Sequence, residues 1–145
     1  MSLNIFSSRI NHDEDKYLQG FCEQILKIDY FIRSAIIVDH LGHIIASASR
    51  PGLIQLMSHE EAARAAVQAV IRSATRDKFK LKIGDLLFSI SRYSREIRAT
   101  IPLQQNSDTK NKSLLLLTFD IDAEADFIIL KKTLPYLFNN REYFL

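Results

Sequence analysis

Ser34-Ala35-Ile36-Ile37-Val38-Asp39-His40-Leu41-Gly42-His43-Ile44-Ile45-Ala46-Ser47-Ala48 is the stretch around which the chain is organised. Two β-branched runs flank a short polar connection that ends in Gly42, a residue able to take the positive φ that a tight hairpin demands. The reading is a β-hairpin. Ser49-Arg50-Pro51-Gly52 then breaks the strand, since proline supplies no ladder donor and disfavours helical geometry in the residue before it. Beyond an ambiguous apolar run, Leu53 to Met57, Ser58-His59-Glu60-Glu61 forms a capping box with acidic residues where a helix dipole favours them, opening a helix that runs to about Arg76. The hairpin thus offers an apolar sheet face and the helix is available to cover it.

On a helical wheel Ala63, Ala66, Val67, Val70, Ile71 and Ala74 fall together and are expected to face the sheet, with Arg64, Gln68 and Thr75 opposite. A third stripe, Ala62, Ala65, Ala69 and Ser73, is neither greasy enough for a core nor charged enough for a wet face. Its small side chains either reflect helix propensity alone or admit the backbone of a second protomer or partner helix.

Upstream, the first twelve residues carry no period and read as an arm. Asn11-His12-Asp13-Glu14 resembles a capping box, and Tyr17, Phe21, Ile25 and Ile28, widened by Leu18 and Cys22, recur at helical spacing. Downstream, Lys78-Phe79-Lys80-Leu81-Lys82-Ile83 alternates cation and apolar as a half-exposed extended segment does. After a turn at Gly84-Asp85, Leu86 to Ser91 gives a third strand with Leu86, Phe88 and Ile90 on one face. Tyr93-Ser94-Arg95-Glu96 is a hairpin loop, and Ile97, Ala99, Ile101 and Leu103 alternate along a fourth strand that frays at Pro102.

Gln104 to Lys112 reads as an exposed loop. Leu114 to Phe119 is apolar without alternation, the mark of a strand covered on both faces, and Ala35 to Val38 shares that character, which makes the two neighbours. Asp122 is the expected N-cap of a last helix bearing Ala125, Ile128, Ile129, Lys132 and Tyr136 on one side, kinked or ended by Pro135. Residues 139–145 are a tail whose Tyr143-Phe144-Leu145 end is apolar.

At 145 residues and 47% hydrophobic, the chain suits one domain, here residues 13–138. Nineteen basic against seventeen acidic residues leave a net charge of +2, too weak a field to advertise nucleic acid or a membrane. Cys22 is the single cysteine, which rules out an internal disulfide and fits a reducing cytoplasm. No run reaches the roughly 20 apolar residues of a membrane span, so a soluble cytoplasmic protein is expected.

The order helix, strand, strand, helix, strand, strand, strand, helix, with Ile36-Ile37-Val38-Asp39-His40-Leu41-Gly42-His43-Ile44-Ile45-Ala46-Ser47 ahead of the Glu60–Arg76 helix, resembles the roadblock/dynein-light-chain family. There a hydrophobic-Val-Asp-x-x-Gly-x-hydrophobic-hydrophobic-Ala-Ser pattern marks the first two strands. The likeness in order spans about Asp13 to Phe138. It implies an α/β fold of the α+β type: a single profilin-like five-stranded antiparallel sheet, order 2-1-5-4-3, with helices on both faces. It also implies a non-enzymatic homodimer, joined through the second helix and third strand, that acts as a scaffold or as a regulator of Ras-like small GTPases. Carried onto this chain, the interface is Ala62, Ala65, Ala69 and Ser73 with Arg72 and Arg76 beside them, together with Leu86, Phe88 and Ile90. Arg72 and Arg76 and the long loop before strand five are departures from the family.

No catalytic motif is present, and no cofactor or metal is expected. Asp39, His40 and His43 share a hairpin, but a solvated turn explains them. Asp120 and Asp122, two apart, have a spacing that suits acid/base work, but helix capping explains Asp122 without it. Lys78, Lys80, Lys82 and Arg92, Arg95, Arg98 are basic edges with only Tyr93 and Phe79 as aromatic partners, few for base stacking. The rival readings are a PAS- or GAF-like small-ligand sensor, which needs a roomy apolar pocket, and a nucleic-acid-binding domain.

Overall fold

The computed structural model describes residues 16–103 and 113–140. The expected N-terminal arm, the Asn11–Glu14 cap, the Gln104–Lys112 loop and the Arg141–Leu145 tail lie outside the described residues. Strand Leu114–Phe119 (β5) is buried at every position and sits in the middle of the sheet. It pairs antiparallel with Ile32–Val38 (β1) on one side and Ile97–Pro102 (β4) on the other. Ile44–Ser49 (β2) and Ser89–Arg92 (β3) complete a five-stranded antiparallel sheet of order β2-β1-β5-β4-β3.

One face carries the larger core. Ala35 and Ile37, Leu115, Leu117 and Phe119, and Ile97, Ala99 and Ile101 alternate onto it, and two helices cover them. The first, α1 (residues 16–26), contributes Phe21, Cys22 and Ile25, while Tyr17 of the expected stripe is exposed. The second runs as Ala125–Ile128 (α4), a π turn Ile129–Thr133 and Leu134–Asn139 (α5), burying Ile128, Ile129 and Leu137. Pro135 does not end it. Proline lacks an N–H and crowds the carbonyl four residues back, and the helix absorbs both by widening one turn. Leu134 N–H accordingly donates to Ile129 O, five residues back, and the Thr133 hydroxyl donates to Ile128 O at 3.3 Å.

Asp122 is not the cap of that helix. Glu124 precedes its first turn without a side-chain cap, and Asp122 is exposed in the connecting turn. The other face of the sheet is covered by His59–Arg76 (α2) over Val38, Leu114 and Leu116.

Two further expectations are corrected. Lys78 to Ile83 is not extended: α2 continues through a 3-10 turn, Asp77–Phe79, into the short helix Lys80–Ile83 (α3). Among the described residues no strand pairs with this segment, and Leu81 and Ile83 are almost fully exposed, so the period of two answers to no buried face. Gly84, at φ +91°, ends the turn with a conformation that a residue with a Cβ resists. The third strand starts at Ser89 rather than Leu86, since residues 84–88 make no ladder.

Candidate functional site

The capping box of α2 is present in full. Glu61 N–H donates to Ser58 Oγ at 3.2 Å and Ser58 N–H to Glu61 Oε1 at 3.0 Å. Hydrogen bonds to the carboxylate from the Ser58 N–H and from the Ser58 hydroxyl hold the Glu61 pKa below its ordinary value.

The face that α2 turns inward is the alanine stripe. Ala66, Ala69 and Ser73 are buried and Ala62 and Ala65 half-buried, whereas Ala63, Val67, Ile71 and Ala74, expected on the sheet, are exposed; of the expected inward set only Ala66 and Val70 pack there. Ile36, Val38, Leu114 and Leu116 already fill the sheet surface below, and methyl groups let the helix settle close upon them where Val or Ile would hold it off. The small stripe thus marks a close contact within the protomer, and Ala69 and Ser73 are not available to a partner. Arg64, Gln68 and Thr75 point away from the sheet as expected.

The closeness is visible at Gly42. A Cβ placed there would lie 2.9 Å from both Cα and Cγ2 of Val67, so the hairpin tip and α2 meet without room for a side chain. The turn itself is fastened by Asp39, whose Oδ1 accepts from Leu41 N–H at 2.9 Å and His43 N–H at 2.8 Å, with His43 Nδ1 3.2 Å from Oδ2. Partial burial raises the Asp39 pKa, but these hydrogen bonds outweigh it and bring the group below its ordinary value.

Of the remaining interface candidates, Arg72 and Arg76 are exposed at the end of α2, and Arg76 Nη1 donates to Ser89 Oγ at 3.0 Å, tying that end to β3. Leu86, Phe88 and Ile90 are half-buried, the last two against the larger core. The fold therefore brings α2 and β3 together on one flank, although it seals Ala69 and Ser73.

The two edges of the sheet differ. At β2, Gln19 of α1 lies along the strand: its Nε2 donates to Ser47 O at 2.5 Å and its Oε1 accepts from Ser47 N–H at 3.2 Å. The carboxamide mimics a neighbouring strand. At β3 no described residue pairs with the outer edge. Nothing in the sequence singled out Gln19, because its partner lies 28 residues away across the fold.

Other candidate chemistry is absorbed by structure. Asp120 is clamped by Arg33 Nη1 at 2.9 Å and Arg50 Nη1 at 3.3 Å, and Arg50 also stacks 4.4 Å over the Tyr30 ring. Arg98 pairs with Glu96 at 3.0 Å and Arg92 donates to Ile121 O, so the expected arginine edge does not gather into a phosphate grip. Among the described residues no group of three or more His, Cys, Asp or Glu is placed to hold a metal. A cavity of about 60 Å³ lies between Arg33, Ser34, Met57, Ala62, Arg98 and Thr118, far below the roughly 300 to 1,000 Å³ of small-molecule sites.

This architecture is similar to MglB in a tetrameric arrangement (TM-score 0.69, 14% identity, 90% of each chain covered). It is also similar to Myxococcus xanthus MglB (0.65, 13%, 90% of this chain and 89% of that one) and to a Roadblock/LC7 domain from Streptomyces avermitilis (0.62, 11%, 86% and 95%). The chain has the roadblock fold. No protein-family model matches the sequence, and no curated protein matches it. The likeness to known roadblock structures therefore lies in the arrangement of the sheet and helices, with identities too low to carry individual residues across.

Proposed function

We propose that this chain is a non-enzymatic, homodimeric, cytoplasmic scaffold or regulator of roadblock type, with a small Ras-like GTPase as its partner. The observation that carries the dimer is the inequality of the sheet edges: β2 is occupied by Gln19, while the outer row of β3 backbone groups meets no strand among the described residues, beside the flank of α2 that bears half-buried Ala65 and exposed Arg72 and Arg76. Pairing β3 with β3 of a second copy satisfies that row and closes after two protomers, because the other edge is blocked. The GTPase partner follows from the roadblock resemblance.

Tyr93 N–H donates to Glu96 O at 2.9 Å, and antiparallel alternation then turns the N–H groups of Ile90 and Arg92 outward. In sedimentation, Arg92→Pro is expected to convert a dimer to a monomer, while Arg92→Ala, which keeps the N–H and loses only the guanidinium, leaves the dimer intact. Gln19→Ala is expected to open the second edge and yield larger assemblies. A monomeric wild type, or a dimer indifferent to Arg92→Pro, refutes the β3 interface. Calorimetric titration against a small GTPase of the same organism, loaded with GTP or GDP, tests the partner; no binding in either state removes it.

A further inference from the structure

Thr118 is the one polar residue in the buried run Leu114–Phe119, and the neighbour that the sheet gives it is another hydroxyl. Across the β1–β5 ladder it faces Ser34, their oxygens 2.5 Å apart, and each residue is only 8% exposed. The pair holds two O–H protons, of which one lies between the oxygens. The other meets no acceptor among the described residues. A buried donor without an acceptor is costly where an apolar pair of the same shape is not, so the hydroxyls point to a group outside the chain.

They open on the cavity bounded by the sheet, the segment 53–57 and Ala62 at the start of α2. Two guanidinium groups line it as well. Arg33 is the extra residue of a β1 bulge between Ile32 and Ser34, a device that re-aims a side chain, and its two Nη atoms are held by Asp120 and Ile54 O. Arg98, opposite Thr118 on β4, spends Nη1 on Glu96 at 3.0 Å and Met57 Sδ at 3.3 Å, while its Nη2 and Nε find no acceptor among the described residues.

We propose that this cavity binds a small planar oxyanion of single charge, a carboxylate or bicarbonate. Size sets the first limit: a water needs roughly 10–15 Å³ of cavity, so the space of about 60 Å³ takes a group of roughly four heavy atoms. Charge sets the second. In this cluster Arg33, Arg50 and Arg98 outnumber Asp120 and Glu96 by one, an excess that water leaves unmatched and a monoanion balances. A planar group with two oxygens side by side fits the guanidinium fork and accepts the remaining hydroxyl proton. Glu96 is already paired with Arg98, and its second oxygen, without a donor among the described residues, suits the O–H of bicarbonate. The site lies inside the protomer and does not depend on the β3 edge.

The test is titration of the isotope-labelled full chain with sodium formate and with sodium bicarbonate, against sodium chloride at equal ionic strength, followed by NMR. Saturable shifts of the Ser34, Arg98 and Thr118 amides are expected with formate or bicarbonate and not with chloride, and the tighter of the two oxyanions identifies the occupant's class. Ser34→Ala with Thr118→Val removes both hydroxyls and orphans neither, so the melting temperature is expected to hold while the dissociation constant rises about tenfold or more. Arg98→Lys keeps a charge beside Glu96 but loses the planar fork, and is expected to weaken binding likewise. Shifts that chloride reproduces, which would mean an adventitious ion only, overturn the proposal. So does an absence of response to both oxyanions, which would leave the cavity to water, or a dissociation constant unchanged in either variant.

Discussion

Gly42→Ala should destabilise the protein well beyond what its backbone conformation alone accounts for. At φ +89° an added Cβ costs about 1–2 kcal/mol, as for any L-residue held in the left-handed region. The same Cβ also meets Val67 Cα and Cγ2 at 2.9 Å, and overpacking of this kind costs roughly 1–3 kcal/mol. Reduced freedom of the unfolded chain returns about 0.4–1 kcal/mol. The net is a loss of about 3 kcal/mol, which at a urea m-value of about 2 kcal/mol/M moves the unfolding midpoint down by about 1.5 M. Gly52→Ala is the control: φ is +82° but nothing lies within 4 Å of the new Cβ, so a shift of only about 0.5 M is expected. Val67→Ala in the Gly42→Ala background should restore part of the loss, because it removes the Cγ2 contact and leaves that with the α2 backbone. Equal midpoints for Gly42→Ala and Gly52→Ala would refute the close approach of hairpin and helix, and with it the explanation of the inward alanines.

Two other outcomes follow from the same geometry. Burial in the larger core pushes the Cys22 thiol up to about 12, outweighing a backbone hydrogen bond from Ile37, so iodoacetamide should leave the folded protein unmodified at mildly alkaline pH and label it on unfolding in urea; rapid labelling of the folded state would place Cys22 at the surface. Partial burial raises the Asp29 pKa, but hydrogen bonds from Lys132 Nζ, 2.7 Å away, and from Phe31 N–H bring it below the ordinary 3.8, as the turn amides do for Asp39. Depressed carboxylates stabilise the fold above their unfolded value and lose that contribution as pH falls through the folded one. Wild-type stability should therefore decline below pH 3.8, and the Asp29→Asn, Asp39→Asn double variant should show a flatter acid limb; parallel pH curves would sink the assignment.

Much of the sheet was legible because its signals are local. Gly42 between two β-branched runs marks a hairpin, and the unbroken Leu114 to Phe119 run marks a central strand, since each signal depends only on residues within a few positions. The orientation of α2 was not legible. A wheel divides the helix into stripes but does not say which one the sheet prefers, and ranking stripes by apolar volume chose Val67 and Ile71. The sheet surface below, crowded by Val38, Leu114 and Leu116, selects small side chains, and that crowding is a property of strands distant in sequence. The Lys78 to Ile83 turn misled for a related reason: alternation implies a strand only where a second strand exists to pair with it. Gln19 carried no sequence signal at all, because a carboxamide that closes a sheet edge looks like any exposed glutamine on a helix.

The inward alanines divide the work of the two sheet faces. On the α1 side, large residues such as Phe21, Ile25, Ile129 and Leu137 fill the space under two helices, so the greater part of the apolar burial is there. On the α2 side the contact is shallow, built from Ala66, Ala69 and Val70 against four strand residues, Ile36, Val38, Leu114 and Leu116, and the helix keeps Val67 at 42% and Ile71 at 53% exposure. Substituting an exposed position of α2 is therefore expected to change stability little, whereas Ala69→Arg, which would drive a charge into the shallow contact, is expected to lift the helix off the sheet and destroy the fold with it. An interface variant drawn from the small-residue stripe would confuse loss of an interface with loss of the fold. One drawn from Arg92, exposed at the end of β3 and outside the core, keeps them apart.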